Sequence, residues 1–147
     1  MYTEKDRDEK LNRLIKFLSE ESIFEGVIQI GSGAIGYYDI YSDIDLMVGC
    51  TSRDVINEAE IRLHNFFEND GAIYIDERKW TKTILGLSVY YENGLSFDIS
   101  FMLTHEIGIK SAQWKILLAK TGEFENHIIK ILIIVLTIRF IINLFIV

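Results

Sequence analysis

Two aspartates separated by one residue, Asp43 and Asp45, lie in a short apolar segment of the chain. In a β-strand they project from one face, while Ile44, Leu46 and Val48 project from the other. Like charges so close together repel, and a divalent cation relieves that repulsion. Magnesium prefers oxygen ligands and typically combines one or two carboxylates with phosphate groups of a substrate. The pair therefore predicts a magnesium site that handles a phosphorylated ligand.

A glycine and a serine, Gly31 and Ser32, follow an apolar run that we expect to be a buried strand. Such a turn leaves backbone N–H groups to meet an anion, and a helix starting there would favour phosphate. A third carboxylate, Asp98, lies on the polar side of a later predicted strand. It could complete a two-metal clamp for in-line displacement at phosphorus. A solvated strand face is the alternative interpretation of each aspartate, but their ordered combination with Gly-Ser favours chemistry.

The flanking pattern predicts an α+β domain with a mixed β-sheet of about five strands flanked by helices. Three helices are predicted: one capped by Thr3, one over about 52–69 opened by Thr51 and Asp54, and one over about 109–120. Two strands are predicted to end at Ile30 and Gly49, and three further strands to cover about 72–75, 82–91 and 95–103. Asn93-Gly94 predicts a tight turn between the last two strands.

The final stretch, residues 128–147, is almost entirely apolar, and its only charged residues are Lys130 and Arg139. We assign residues 1–127 to a catalytic domain and 128–147 to a hydrophobic C-terminal helix, the start of a truncated or altered helical region. Its length would allow a membrane span. However, Arg139 would cost about 2.5–3.5 kcal/mol at the centre of a bilayer. We expect a helix buried in the fold or in a homodimer, with a membrane anchor or a disordered tail as alternatives.

The charge balance restricts the class of partner. With 22 acidic and 15 basic residues the net charge is -7, which disfavours long nucleic acid as a partner. The single cysteine, Cys50, excludes an internal disulfide and is expected to be a buried hydrophobe. No two histidines have the spacing of a zinc pair. The charged N-terminal segment is unlike a signal peptide, so we expect the protein in the cytoplasm.

Three segments resemble the defining motifs of the polymerase-beta-like nucleotidyltransferase superfamily: Ile30-Gly31-Ser32, Ser42-Asp43-Ile44-Asp45-Leu46 and Phe97-Asp98-Ile99. The similarity extends over roughly residues 10–105. It is greatest to the small bacterial branch, which includes antibiotic nucleotidyltransferases and minimal nucleotidyltransferases paired with toxins.

The resemblance implies a role for each residue of the set. Gly31 and Ser32 would hold the nucleoside triphosphate, Asp43 and Asp45 would bind magnesium, and Asp98 would ligate the catalytic metal or act as general base. The implied reaction moves a nucleoside monophosphate from an NTP, with ATP expected, to a hydroxyl, releasing pyrophosphate. The acidic charge favours a small cationic acceptor such as an aminoglycoside-like antibiotic. The alternatives are an antitoxin-type enzyme that nucleotidylates a protein partner, and a nucleotide-binding module without turnover.

The chain departs from the family pattern directly after Gly-Ser. Many minimal members carry a basic residue there, whereas this chain has Gly33 and Ala34. Lys110 and Lys115 could supply the missing positive charge, although the sequence does not place them near the carboxylates.

Overall fold

The computed structural model describes residues 1–35, 43–108 and 113–146 of the chain. The helices and strands are, in order, α1 (Glu4–Glu20), β1 (Phe24–Ile30), β2 (Ile44–Cys50), α2 (Ile56–Asn69), β3 (Tyr74–Lys79), β4 (Leu85–Tyr90), β5 (Ser96–Leu103), β6 (Trp114–Ala119) and α3 (Gly122–Ile146). Single 3₁₀ turns lie at Ser32–Ile35, Arg53–Val55 and Thr104–Glu106.

The strands form one sheet in the order β3-β4-β5-β2-β1-β6. Strands β2 and β5 run parallel at its centre, while each of the other neighbouring pairs is antiparallel. The predicted α+β domain with a mixed sheet is therefore confirmed, with six strands where about five were expected. The predicted turn after β4 is also confirmed, since Gly94 has a φ of 91° and its N–H donates to the Tyr91 carbonyl at 3.0 Å.

Helices α1 and α2 cover one face of the sheet. Leu14 and Leu18 of α1 and Leu63 and Phe67 of α2 are completely buried against strand residues such as Leu46. Because side chains alternate along each strand, this packing assigns Ile44, Leu46 and Val48 of β2 to the helical face. Asp45 lies on the opposite face, as Asp98 does in β5, together with Met47 and Met102, which pack in a second core cluster.

The two predicted helix starts differ in outcome. Thr3 caps α1 as predicted, through a reciprocal pair in which the Asp6 N–H donates to Thr3 Oγ1 at 3.1 Å and the Thr3 N–H to Asp6 Oδ2 at 2.8 Å. The predicted capping box of Thr51 and Asp54 does not form. The 3₁₀ turn before α2 has Ser52 at its N-cap, so Thr51 lies one residue too early to cap it.

The third predicted helix, over about 109–120, is wrong for its described part. Residues 114–119 form β6, which pairs antiparallel with β1 from Ile30↔Trp114 to Gly26↔Ala119. Residues 109–112 lie outside the described part of the chain. The segment's leucines and lysine suit a helix, but propensity is a weak preference. The free edge of β1 offered unpaired backbone groups that a sixth strand satisfies.

Two glycines allow α3 to reach the second face of the sheet. A Cβ on Gly26 would lie 2.6 Å from the Phe124 ring, and a Cβ on Gly49 would lie 2.9 Å from it. Phe124 and Ile128 are completely buried there, together with Ile28. The first turns of α3 therefore belong to the packed domain, and the helix runs without a break through the predicted boundary at 127/128.

Beyond these turns α3 leaves the domain. Ile133, Phe140 and Phe145 are 59, 65 and 84% exposed. The expected burial within the fold is therefore absent over this part of the helix. The stretch Gly122–Phe145 is long and apolar enough to cross a membrane, and only 6% of its most apolar window is buried.

Candidate active site

The centre of the site is the parallel pair β2–β5. Their register places Asp45 opposite Asp98, between the buried pairs Ile44↔Phe97 and Leu46↔Ile99. Neighbouring strands lie about 4.8 Å apart, so the two carboxylates are adjacent on the face that α1 and α2 leave uncovered. The structure therefore brings together the two aspartates that the sequence had placed on polar strand faces.

The third aspartate, Asp43, lies directly before β2. It is exposed, and its carboxylate accepts a hydrogen bond from Ser96 Oγ at the start of β5. The pKa of Asp45 depends on both neighbouring carboxylates. Burial raises the pKa of Asp45 from 3.8 to about 6, and the charges of Asp98 and Asp43 add to the shift, opposed by Arg7. A carboxyl group whose charge is so disfavoured gains when a cation binds beside it.

Gly31 forms the wall of the site on the β1 side. Its φ of 80° lies in the left-handed region that glycine adopts without strain. A Cβ there would lie 3.3 Å from Asp45 Oδ2, so a larger residue would crowd the carboxylate. The predicted tight turn and short helix are both present, since the 3₁₀ turn Ser32–Ile35 follows at once.

One expected feature of this turn is wrong. The Gly31 N–H is not free to meet an anion, because it donates to the Gln113 carbonyl at 3.0 Å. The cause is β6, whose pairing with β1 continues one residue beyond Ile30. The Gly31 N–H is therefore not available as a donor to a phosphate at this turn.

Sequence reasoning missed Arg78, a basic residue of the site. Its guanidinium reaches from β3 across β4 to Asp98 Oδ1 at 2.6 Å, and it also donates to Ser88 Oγ. The Trp80 ring lies 5.3 Å from the guanidinium carbon. Extending the predicted strand from Ile75 to Lys79 would have placed Arg78 on the carboxylate face.

Helix α2 helps to hold the strand that carries this arginine. His64 contacts Glu68 of its own helix at 2.8 Å and Glu77 of β3 at 2.7 Å. Glu77 lies on the helical face, so its neighbour Arg78 must project to the other face. His64 therefore connects α2 to β3, the strand that carries Arg78.

The carboxylates of the site are the type of ligand that magnesium prefers, although they do not form a complete coordination shell by themselves. Among the described residues, no three His, Cys, Asp or Glu side chains converge closely enough to hold a metal as they stand. Asp43 is engaged by Ser96 and Asp98 by Arg78. Magnesium usually requires one or two protein carboxylates and takes its other ligands from phosphates and water. Asp43 and Asp45 meet that requirement in type and number.

Other candidate residues lie elsewhere or outside the described part. Lys115 pairs with Gln29 on the helical face of the sheet, so it does not supply charge to the carboxylates. Ser42 and Lys110 lie outside the described residues. Cys50 is completely buried as expected, and burial raises the pKa of its thiol to about 12, which disfavours a reactive thiolate.

Comparison with solved structures finds terminal uridylyl transferase 4 from Trypanosoma brucei. The form with bound UTP and UMP has a TM-score of 0.48 at 14% identity, the form with bound GTP 0.46 at 12%, and the form with bound UPU 0.45 at 14%. Each match covers 63% of this chain, which spans about a third of the matched protein, 34% of its length. No protein-family model matches the chain, and neither does any curated protein.

Proposed function

We propose that this chain is a magnesium-dependent nucleotidyltransferase. It moves a nucleoside monophosphate from a nucleoside triphosphate, with ATP as the expected donor, to a hydroxyl group and releases pyrophosphate. The observation that carries the proposal is the in-register pair Asp45 and Asp98, with Asp43 beside it and the Gly31 turn against it. Carboxylates clustered beside a glycine turn suit a metal-bound triphosphate better than any uncharged ligand.

The carboxylates would hold the metal on the β2 side of the site. Asp43 and Asp45 are the proposed magnesium ligands, and Ser32 and the turn after Gly31 would contact the triphosphate. Asp98 would either ligate the catalytic metal as a third carboxylate or act as general base. Bound magnesium supplies charge neutralisation at the phosphates and polarises the phosphorus under attack. Burial and then the repulsion by Asp98 and Asp43 raise the pKa of Asp45, and a cation bound beside it would offset both effects by stabilising the charged carboxylate.

As general base, Asp98 would act on the acceptor hydroxyl. The acceptor hydroxyl oxygen would form a bond to the α-phosphorus while the bond from that phosphorus to pyrophosphate breaks, in line with the attack. The hydroxyl proton would pass to the Asp98 carboxylate, which acts as general base. Arg78 must release at least part of that carboxylate first, because it holds Oδ1 at 2.6 Å.

The acidic surroundings favour a cationic hydroxyl acceptor, such as an aminoglycoside-like antibiotic. Asp76 lies exposed on the carboxylate face of β3, and the whole chain carries a net charge of -7. A second candidate is a nucleotide-binding module without turnover. The ion pair of Arg78 with Asp98 favours it, because the guanidinium occupies a carboxylate oxygen that would otherwise be free to accept the proton of the acceptor hydroxyl.

One experiment distinguishes these candidates and the protein-modifying alternative. The full chain is incubated with magnesium and ATP radiolabelled in the α-phosphate, together with panels of aminoglycosides and of toxin proteins. Label on an aminoglycoside supports the leading proposal, and label on a protein supports the antitoxin type. Magnesium-dependent ATP binding that never labels an acceptor supports the binding module.

Matched variants connect the result to the site. Asp43→Ala and Asp45→Ala should each abolish label transfer, because each removes a proposed metal ligand. Asp8→Ala removes an exposed carboxylate from α1 and should leave transfer unchanged. Transfer that survives in Asp45→Ala would contradict the metal assignment.

A further inference from the structure

The distal part of α3 presents a continuous apolar surface to solvent. Its first turns pack on the sheet through Phe124 and Ile128, and the helix then extends away from the domain. Among the described residues of this part, nine large apolar side chains are more than 45% exposed: Ile133, Ile134, Leu136, Ile138, Phe140, Ile141, Ile142, Leu144 and Phe145. A soluble protein rarely leaves so large an apolar patch uncovered.

The apolar residues occur on all sides of the helix. At about 100° per residue, Ile133, Ile134, Ile142 and Leu136 project in four different directions. A second copy of the chain, or one partner helix, would cover one stripe and leave the other sides in water. A helix that is apolar all round requires an apolar environment all round, and a lipid bilayer provides one.

The charges on α3 fit the same partner. The part of the helix that follows Glu125 contains no acidic residue, and Lys130 and Arg139 are the only charged side chains in that part. Lys130 lies exposed near the domain, where it can meet anionic lipid headgroups. Arg139 and Asn143 lie one turn apart on the same side, so the long arginine side chain can extend towards the headgroups along that side.

The usual soluble explanations for such a helix do not apply. A core helix of a soluble domain would be mostly buried, whereas only 6% of this apolar window is buried, and a signal sequence would lie near the N-terminus. The turns through Ile128 pack on the sheet, so the part of α3 that can enter a bilayer is residues 129–146. These 18 residues extend about 27 Å, close to the hydrocarbon thickness of about 30 Å. We propose that α3 inserts into a lipid bilayer and anchors the catalytic domain at the membrane surface.

Vesicle flotation tests this directly. The full chain is mixed in mild detergent with vesicles of phosphatidylcholine and phosphatidylglycerol, the detergent is removed, and the mixture is floated on a density gradient. We expect the protein to float with the vesicles and to stay with them in high salt, because the contact is apolar and salt screens only charges.

Two substitutions on adjacent residues should act in opposite directions. Ile138→Asp places a carboxylate within the apolar helix and should lower the ratio of vesicle-bound to free protein by at least about a hundredfold. Arg139→Leu removes a charge from the same depth and should raise that ratio by about a hundredfold. Ile61→Asp is the matched control, because Ile61 is 60% exposed on α2 and lies outside the anchor. Circular dichroism of each variant checks that the helices are retained.

Three results would overturn the proposal. The wild-type chain could stay at the bottom of the gradient as a discrete dimer that Ile138→Asp converts to monomer, which would identify a second copy as the occupant. It could float but be released by high salt with no response to either α3 substitution, which would indicate binding by charge alone. Finally, Ile61→Asp could lower flotation as strongly as Ile138→Asp. None of these results depends on nucleotide transfer, so the anchor and the proposed activity are tested separately.

Discussion

Replacing Asp45 by asparagine should stabilise the metal-free protein, because it removes a charge that the fold disfavours. The pKa of Asp45 rises from 3.8 to about 6, first because the group is buried and then because Asp98 and Asp43 repel it. A group with a raised pKa binds its proton more tightly in the folded state than in the unfolded state. The wild-type free energy of unfolding should therefore fall as the pH rises from about 4 to about 6, and the full penalty should persist above that range.

The size of the effect follows from the shift. Each pKa unit corresponds to about 1.4 kcal/mol, so the shift sets an upper limit of about 3 kcal/mol. Asp45 is only partly buried, and solvent screening reduces this to about 1.5 kcal/mol. At pH values above neutral, and for a chain of this length, that difference should make the melting temperature of Asp45→Asn about 5 °C higher than that of the wild type.

Thermal unfolding in the presence of a chelator, repeated across this pH range, measures the effect. Asp8→Asn on α1 is the matched control and should show no pH-dependent difference from wild type. Added magnesium should raise the melting temperature of the wild type more than that of Asp45→Asn, because the cation relieves the same repulsion. The reasoning is refuted if Asp45→Asn is less stable than wild type above neutral pH, or if their difference does not change with pH.

Three further substitutions test the surroundings of the site. Arg78→Gln removes the cation held by Asp98 and should tighten magnesium binding by about tenfold in calorimetric titration. Gly31→Ala forces a side chain into a φ of 80°, which should cost about 1–2 kcal/mol in urea unfolding and weaken ATP binding. Gly26→Ala places a Cβ 2.6 Å from the Phe124 ring and should lower the free energy of unfolding by about 3 kcal/mol.

Each of these variants has a control. Arg78→Lys keeps the positive charge and should leave magnesium affinity near the wild-type value. Gly94→Ala imposes similar strain at a φ of 91° in open space, so it should destabilise the fold without affecting ATP binding. Gly108→Ala meets nothing within 4 Å and should be neutral beside Gly26→Ala. Weaker magnesium binding in Arg78→Gln, or unchanged ATP binding in Gly31→Ala, would contradict the proposed geometry.

The alternation of side chains predicts which face of the sheet each aspartate occupies, but not which residues lie beside it. Asp45 and Asp98 each alternate with apolar residues, so the face that each occupies follows from the sequence. Their adjacency does not, because it depends on β2 and β5 being parallel neighbours in register.

Long-range pairing explains what the sequence did not predict. Trp114–Ala119 became a strand because β1 had a free edge, and the same pairing occupies the Gly31 N–H. Arg78 was missed because the charged end of β3 has no apolar alternation to extend the strand, whereas backbone pairing with β4 continues to Lys79. Such features depend on partners distant in the chain, which local periodicity does not encode.

The central claim is that Asp43 and Asp45 bind a magnesium–nucleotide complex against the Gly31 turn. Calorimetric titration with the α,β-methylene analogue of ATP, which cannot transfer its monophosphate, measures this without an acceptor. We predict binding by the wild-type chain that requires magnesium, and loss of that binding in Asp43→Ala and in Asp45→Ala. Equal affinity with a chelator present, or unchanged affinity in both variants, would contradict the account.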